Sequence, residues 1–439
     1  MDKSPKPFQI AVTGFFVVLF ILGFLGFSGK LPLPSSSKEV SYGEVTLWGS
    51  ISRESMQSLL ANNFRDEKSV SIKYEQKNAT TFTRDFVEAL ASGKGPDLVI
   101  LPQEELLKNL NKLAVIPYQT ILERDFKNTF IAEGEMFLRP EGTVALPFMV
   151  DPIVMYWNRD IFTNALIAKP PVLWSEFYDL VPKITVRDRT GNITRSLVPF
   201  GEYRNVTNAK EILSVLLMQA GSPVVTSKNG NLTAALVIQG PLNVENPVVT
   251  AMRFYTEFSK SEKDSYSWNR SLPQSRSMFE AGDLALYFGY ASEYQSIKLK
   301  NPHLNFDVAM IPQVGKTANK LTFGRMHGIA IVGASKNQGG ALRAAMLLSG
   351  SSVITGISGI TGLPPVRRDL IAIPPVDAAQ SVFYDSALIS RAWYDPSPIE
   401  TNAIFMTMID SVNSGRSSMN EALAVAHSSL AKLFQDYQQ

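Results

Sequence analysis

The run LPFMVDPIVMYWNRDIF, residues 146–162, is apolar from Leu146 to Trp157 except for one acid, Asp151, in the middle of that stretch. An isolated buried carboxylate is costly unless something pairs with it, so Asp151 is either matched by a neighbour or set aside for a ligand. Set about 5–10 Å from a second acid such as Glu202, it would also suit glycoside hydrolysis. Other reactive patterns are weak. The three histidines, His303, His327 and His427, form neither an HxxxH nor an HExxH spacing, and cysteine is absent. That composition argues against a metal centre, thiol chemistry, disulfides and a lipid-modified cysteine. GKT at 315–317 lacks the glycine five residues earlier, where Met310 stands, so it is no phosphate loop. GISGITG at 356–362 misses the spacing of a nucleophile elbow. The inventory favours non-covalent binding over catalysis and calls for no cofactor.

The elements that must position such a site follow from length and pattern. At 439 residues the chain exceeds one ordinary core, which predicts two lobes. Lys and Arg total 42 against 40 for Asp and Glu, a balance that gives no reason to expect nucleic acid and suits a neutral ligand. Residues 10–27 are uncharged and apolar, close to the length that spans a bilayer. A cleaved signal peptide is the rival, but its apolar region is usually shorter, and no alanine follows Ala11 before Ala61. The expectation is therefore a cytoplasmic stretch over 1–9, favoured by Lys3 and Lys6, a transmembrane anchor over 10–27 and a Pro/Ser-rich linker over 28–43. The folded part would then work on the extracytoplasmic face of the cell membrane.

Beyond the linker, strands at 45–48, 70–76 and 97–101 alternate with helical patterns, the second marked by Phe82, Phe86, Val87 and Leu90. Such β-α-β-α-β order predicts a parallel sheet with helices on both sides and a ligand crevice beyond the carboxyl ends of its strands, near residues 48–50 and 102–104. The later chain reads as helix-rich, with strands at 284–288, 305–311 and 328–332, and a last helix started by Ser418 and Glu421 at capping-box spacing.

Five segments, in order, resemble the extracellular solute-binding proteins of ABC importers, in the sugar-binding group that includes maltose-binding protein. They are GKGPDLVILPQEELLKNL, LPFMVDPIVMYWNRDIFTNALIAKPPVLWSEF, SMFEAGDLALYFGYASEY, FDVAMIPQ and GIAIVGASKNQGGALRAAMLLSGS. The resemblance implies a two-lobed, type II periplasmic-binding-protein-like α/β fold, preceded by the N-terminal helix. One lobe would comprise 44–148 and 313–350, the other 149–312 and 351–439, with Asp151 where a hinge strand crosses the cleft floor. It implies a monomer that performs no chemistry, captures a carbohydrate or other small molecule and hands it to a transporter permease. A tethered sensor or adhesin using the same cleft remains an alternative, as does a glycosidase.

On that resemblance the candidate ligand contacts are Trp48, Ser50, Gln103, Asp151, Glu202, Tyr203, Trp268, Tyr290 and Trp393. A sugar presents hydroxyls at its edge and C–H groups on its faces, which polar side chains and aromatic plates match. Each residue has a plainer role beside this one. Trp48 would be core, Ser50 or Ser52 a helix cap, Gln103 a solvated helix start and Tyr290 interlobe packing. Trp268 and Trp393 stand in loop-like sequence, where exposed rings are expected. Arg325 and His327 fit a structural role better than ligand contact.

Overall fold

In the computed structural model, residues 41–228, 231–237, 246–315 and 320–438 are described. The expected anchor at 10–27 lies outside them. Among the described residues no single helix is long and apolar enough to cross a membrane.

Strand β1 (Glu44–Gly49), helix α1 (Arg53–Asn63), β2 (Ser71–Gln76), α2 (Phe82–Ala91) and β3 (Leu98–Pro102) follow the expected alternation. Ser52 caps α1 by accepting from the Ser55 N–H at 3.2 Å. β1 lies between β2 and β3, parallel to both. The remaining strands depart from the all-parallel expectation. The 13-residue β4 (Leu146–Asn158), β5 (Leu286–Tyr290), β6 (Phe306–Ala309) and β7 (Thr322–Ile331) join them in one sheet in the order β5-β4-β7-β3-β1-β2, and the short strand Ser390–Arg391 pairs in parallel with the start of β7. β7 is antiparallel to both β3 and β4, and β6 also pairs with β4.

β4 carries the chain from one hydrophobic core to the other. Its residues up to Val150 pack with β1–β3 in the first core, and those from Ile153 belong to the second. β7 makes the return crossing, with Phe323 in the second core and Met326 in the first. Proline is rare in central strands because it donates no ladder hydrogen bond. β4 holds two. Pro147 sits where the register with β7 shifts, and Pro152 sits where β4 leaves β7 for β5. Asn158, which ends the strand, caps the following helix Arg159–Asn164 by accepting from the Ile161 N–H at 3.0 Å.

The expected lobe limits need correction after residue 350. Val353, Ile354 and Ile357 on the helix Ser351–Thr361, with Val366 and Ile371, pack into the first core rather than the second. This helix is apolar on the side that meets α1, where Gly356 lets Leu59 approach closely. The second core is built round an aromatic group in which Trp174, Phe177, Phe200, Phe254 and Phe288 stack or meet edge to face.

Gly201 leads from that aromatic group to Glu202 and Tyr203. Its φ is +97°, and a Cβ there would lie 2.5 Å from the Ser259 backbone nitrogen. Gly201→Ala is expected to destabilise the protein by roughly 2 kcal/mol or more, from left-handed strain plus overpacking. Urea unfolding followed by tryptophan fluorescence would read this as a lower midpoint.

Candidate ligand-binding site

Where the two cores meet, the crossing strands change from apolar to polar. β4 presents Asp151 and β7 presents Gly324 and Arg325, with Asp151 opposite Arg325 in register. Arg325 and His327 are two residues apart on β7 and so share one face, and both are half-buried while Met326 between them is fully buried.

Arg325 ties the lobes together. Its Nε donates to Glu104 Oε1 at 2.7 Å, just past β3, and its guanidinium lies over the Tyr290 ring at 4.1 Å, at the end of β5. Burial opposes the Glu104 charge, but the guanidinium more than offsets it and leaves the carboxyl below its ordinary range. Gln103 fastens the same crossing. Its Nε2 donates to Gly324 O at 3.0 Å and its Oε1 accepts from the Met326 N–H at 2.6 Å. Both amide ends are thus engaged by β7 backbone, and the side chain is fully buried rather than the solvated helix start of its plainer role.

Asp151 is buried and accepts the Ser292 N–H at 3.0 Å, at the start of the helix Glu293–Lys300. Burial pushes its carboxyl up to about 6, against the pull of that hydrogen bond and of Arg325. Tyr290 is 4 % exposed, and its hydroxyl has no hydrogen-bond partner among the described residues. Burial and the charges of Glu211, Glu104 and Asp151 raise its ionisation well above the ordinary range, so the phenol stays neutral. Glu104 Oε2 and His327 Nδ1 are likewise buried without partners. Burial brings the imidazole down to about 4, which keeps His327 uncharged near neutrality.

Asp151, Tyr290 and Gln103 therefore meet through Arg325 and the β7 backbone, whereas other candidates go elsewhere. Trp48 is buried at the end of β1, with Lys77 Nζ 3.6 Å from its ring centroid. Ser50 is exposed in the turn after that strand. Glu202 accepts from Arg270 at 2.9 Å, and Arg270 also reaches Asp410 at 3.2 Å. Tyr203 donates to Asn402 Oδ1 at 2.7 Å and, with Glu211, lines a cavity of about 380 Å³.

Trp268 and Trp393 correct the expectation of exposed rings. Trp268 is wholly buried and donates to Asn205 Oδ1 at 3.1 Å. Trp393 donates to Ser214 Oγ at 3.0 Å and stacks on Phe405. Both segments are loops with exposed polar neighbours such as Arg270 and Arg391, but each indole turns inward, where its N–H finds a partner inside the fold.

Three acids escaped sequence reasoning. Glu104 fell inside the flagged crevice segment 102–104 but was not singled out as a contact, and Glu211 stands in the first turn of the helix Ala209–Gln219, where an acid reads as an ordinary helix start. Glu133 had no local signal. It is buried against the crossing, so that a Cβ on Gly324 would fall 2.4 Å from its Oε2.

The whole chain can now be set beside known proteins. The family model for bacterial extracellular solute-binding proteins matches residues 49–346, and the chain belongs to that family. A binding protein of Brucella abortus (strain 2308) and one of Brucella suis biovar 1 are each 24% identical over 256 residues, spanning 57% of this chain and 57% of theirs. The cyclic α-maltosyl-1,6-maltose binding protein of Arthrobacter globiformis is similar in structure, with TM-score 0.74 and 15% identity, covering 90% of this chain and 99% of that one. A cyclo/maltodextrin-binding protein complexed with maltotetraose gives TM-score 0.72 and 16% identity over 90% and 97%. An ABC transporter solute-binding protein of Thermotoga lettingae, bound with α-D-tagatose, gives 0.61 and 21% over 89% and 100%. These likenesses establish the two-lobed α/β fold.

Glu133 makes the site's stability depend on pH. Burial raises its carboxyl to about 8, and the nearby Ser390 hydroxyl donates to Ser386 O instead. Between pH 4.5 and 8 the folded protein keeps a proton that the unfolded chain has lost, so stability falls as pH rises through this window. Glu133→Gln should therefore raise the melting temperature at pH 9 by an amount reflecting a few kcal/mol at most, on the order of that shift. Near pH 4.5 the variant and the parent should melt together. Melting curves across pH 4–9 would check this.

Proposed function

We propose that the protein is a membrane-anchored, extracytoplasmic solute-binding protein that holds a sugar or oligosaccharide between its lobes and delivers it to an ABC transporter permease. The observation that carries the reading is the Tyr290 hydroxyl, buried at the crossing with no partner, beside the unpartnered Glu104 Oε2 and His327 Nδ1. Each such atom costs about 1–3 kcal/mol unless something satisfies it, and ligand hydroxyls would satisfy all three. Membership of the solute-binding family supports the binding role, and the oligosaccharide complexed with a protein of similar fold supports the ligand class. The apolar segment 10–27 supports the anchor.

Closure in this reading follows from the layout of the crossing. Glu104 and His327 stand with the first core, Tyr290 with the second, so a ligand that touches all three bridges the lobes and favours their closed arrangement. Specificity comes from the polar atoms, which a ligand lacking hydroxyls would leave unpaired.

A thermal-shift screen of the purified protein against mono- and oligosaccharides, with amino acids, polyamines and phosphate for comparison, tests the ligand class. A concentration-dependent rise with a sugar is expected. Tyr290→Phe should weaken that sugar about tenfold while leaving the unliganded melting temperature equal or higher, since it deletes a buried hydroxyl with no partner. Asp151→Ala should also weaken it. Unchanged affinity in both variants would place the site elsewhere.

A further inference from the structure

We infer that Glu133 and Arg391 form an interlobe latch: a carboxyl of the first lobe and a guanidinium of the second, left unpaired in this structure, that join in a second arrangement of the lobes. The inference rests on the lobe movement of the reading above and not on its ligand.

Glu133 stands in the short helix Ala132–Phe137, whose Phe137 belongs to the first core. Its side chain is 3 % exposed, and neither carboxyl oxygen has a hydrogen-bond partner among the described residues. The strands around it fix its place. A Cβ on Gly324 would lie 2.4 Å from Glu133 Oε2 and 2.7 Å from Ser390 Oγ, so the carboxyl sits over Gly324, beside the strand Ser390–Arg391. Successive residues of a strand face opposite ways, which puts Arg325 and the groups it holds across β7 from Glu133. The missing partner therefore belongs to the Gly324 side of the sheet.

Arg391 supplies it. The residue is exposed, pairs with no carboxylate among the described residues, and turns one guanidinium nitrogen back on Ser390 O at 2.6 Å. It is also the cation that acts on the Glu133 carboxyl. Arg391 stands in register with Phe323, and Trp393 follows two residues later, both buried in the second core, so it moves with the second lobe. The segments that carry the two residues already touch across the lobe boundary, where the Tyr394 hydroxyl donates to Met136 O. Arg139 is a different case. It lies over the Tyr394 ring at 4.8 Å, six residues along the chain from Glu133, and a pair with it would be made within the first lobe.

A small shift of the strand Ser390–Arg391 against the helix Ala132–Phe137 is what pairing needs. The guanidinium fork can then meet both orphaned oxygens at once, a geometry that an ammonium does not copy. The gain exists only when the lobes are so arranged, so it biases their equilibrium towards that state.

The chain has no cysteine, so spin labels at Ala79→Cys on the first lobe and Ser271→Cys on the second, both exposed, report the lobe separation of the full-length protein without ligand. Double electron–electron resonance should find two separations, of which this structure accounts for one. Glu133→Gln and Arg391→Gln should each lower the second population about tenfold, and the double variant should lower it no further, because either change removes the pair. Arg391→Lys, which keeps the charge and loses the fork, should recover only part of it. A single separation in the parent, a second population that either variant leaves unchanged, or effects that add in the double variant would each overturn the inference. Arg391 is exposed, so its variants decide the matter even where the buried Glu133 change prevents folding. No ligand enters this measurement, and its failure leaves the sugar reading to the thermal-shift screen.

Discussion

The contact on which the rest depends is the guanidinium of Arg325, held between the Glu104 carboxylate of the first lobe and the Tyr290 ring of the second. A buried ion pair is a weak source of net stability, because desolvation takes back much of what the charges gain. Its value here is positional. It fixes where a strand leaving one core enters the other, while Glu104 Oε2 and the Tyr290 hydroxyl are left without hydrogen-bond partners among the described residues. Gln103 does the matching work on the backbone. By closing both of its amide ends on β7, it supplies the hydrogen bonds that a central strand loses where its neighbour changes.

Much of the frame was legible in the sequence because it rests on local periodicity. The strands β1–β3 follow from short apolar runs set between helical patterns, and β4 follows from its continuous apolar character. Asp151 could be singled out because a lone acid in such a run needs a reason, and its Ser292 hydrogen bond supplies a structural one. Asn158, at the end of the same strand, proves to be a helix cap. The opening of β7 was illegible. Thr322 to His327 mixes Gly324, Arg325 and His327 with Phe323 and Met326 in no clear period, and only pairing with β4 and β3 makes it a strand.

What sequence could not supply was information held between distant segments. Trp268 and Trp393 sit among polar neighbours, and nothing local says that Asn205 and Ser214 wait inside the fold to accept their N–H groups. Val353 and Ile357 are apolar residues four apart, as a helix face requires, but which core they join depends on α1, nearly three hundred residues earlier in the chain. Glu133 and Glu211 read as ordinary helical acids. Their meaning comes from burial against the crossing and from the charges around it, neither of which leaves a trace in spacing.

The crossing also explains why a fold would keep so many imperfectly satisfied groups together. Glu133, Tyr290, Glu104 and His327 all bury polar atoms without partners, and replacing them with apolar residues of similar volume would relieve that cost. Distributed through a core they would be defects. They are gathered at the boundary of two cores, to both of which β4, β7 and the helix Ala378–Leu388 contribute. A site of this kind holds its polar groups in place by the rigid sheet around them and leaves the last partners to an incoming molecule. On the proposed function, the energy recovered on binding would be available to bring the lobes together, because no single lobe contains the full set of partners.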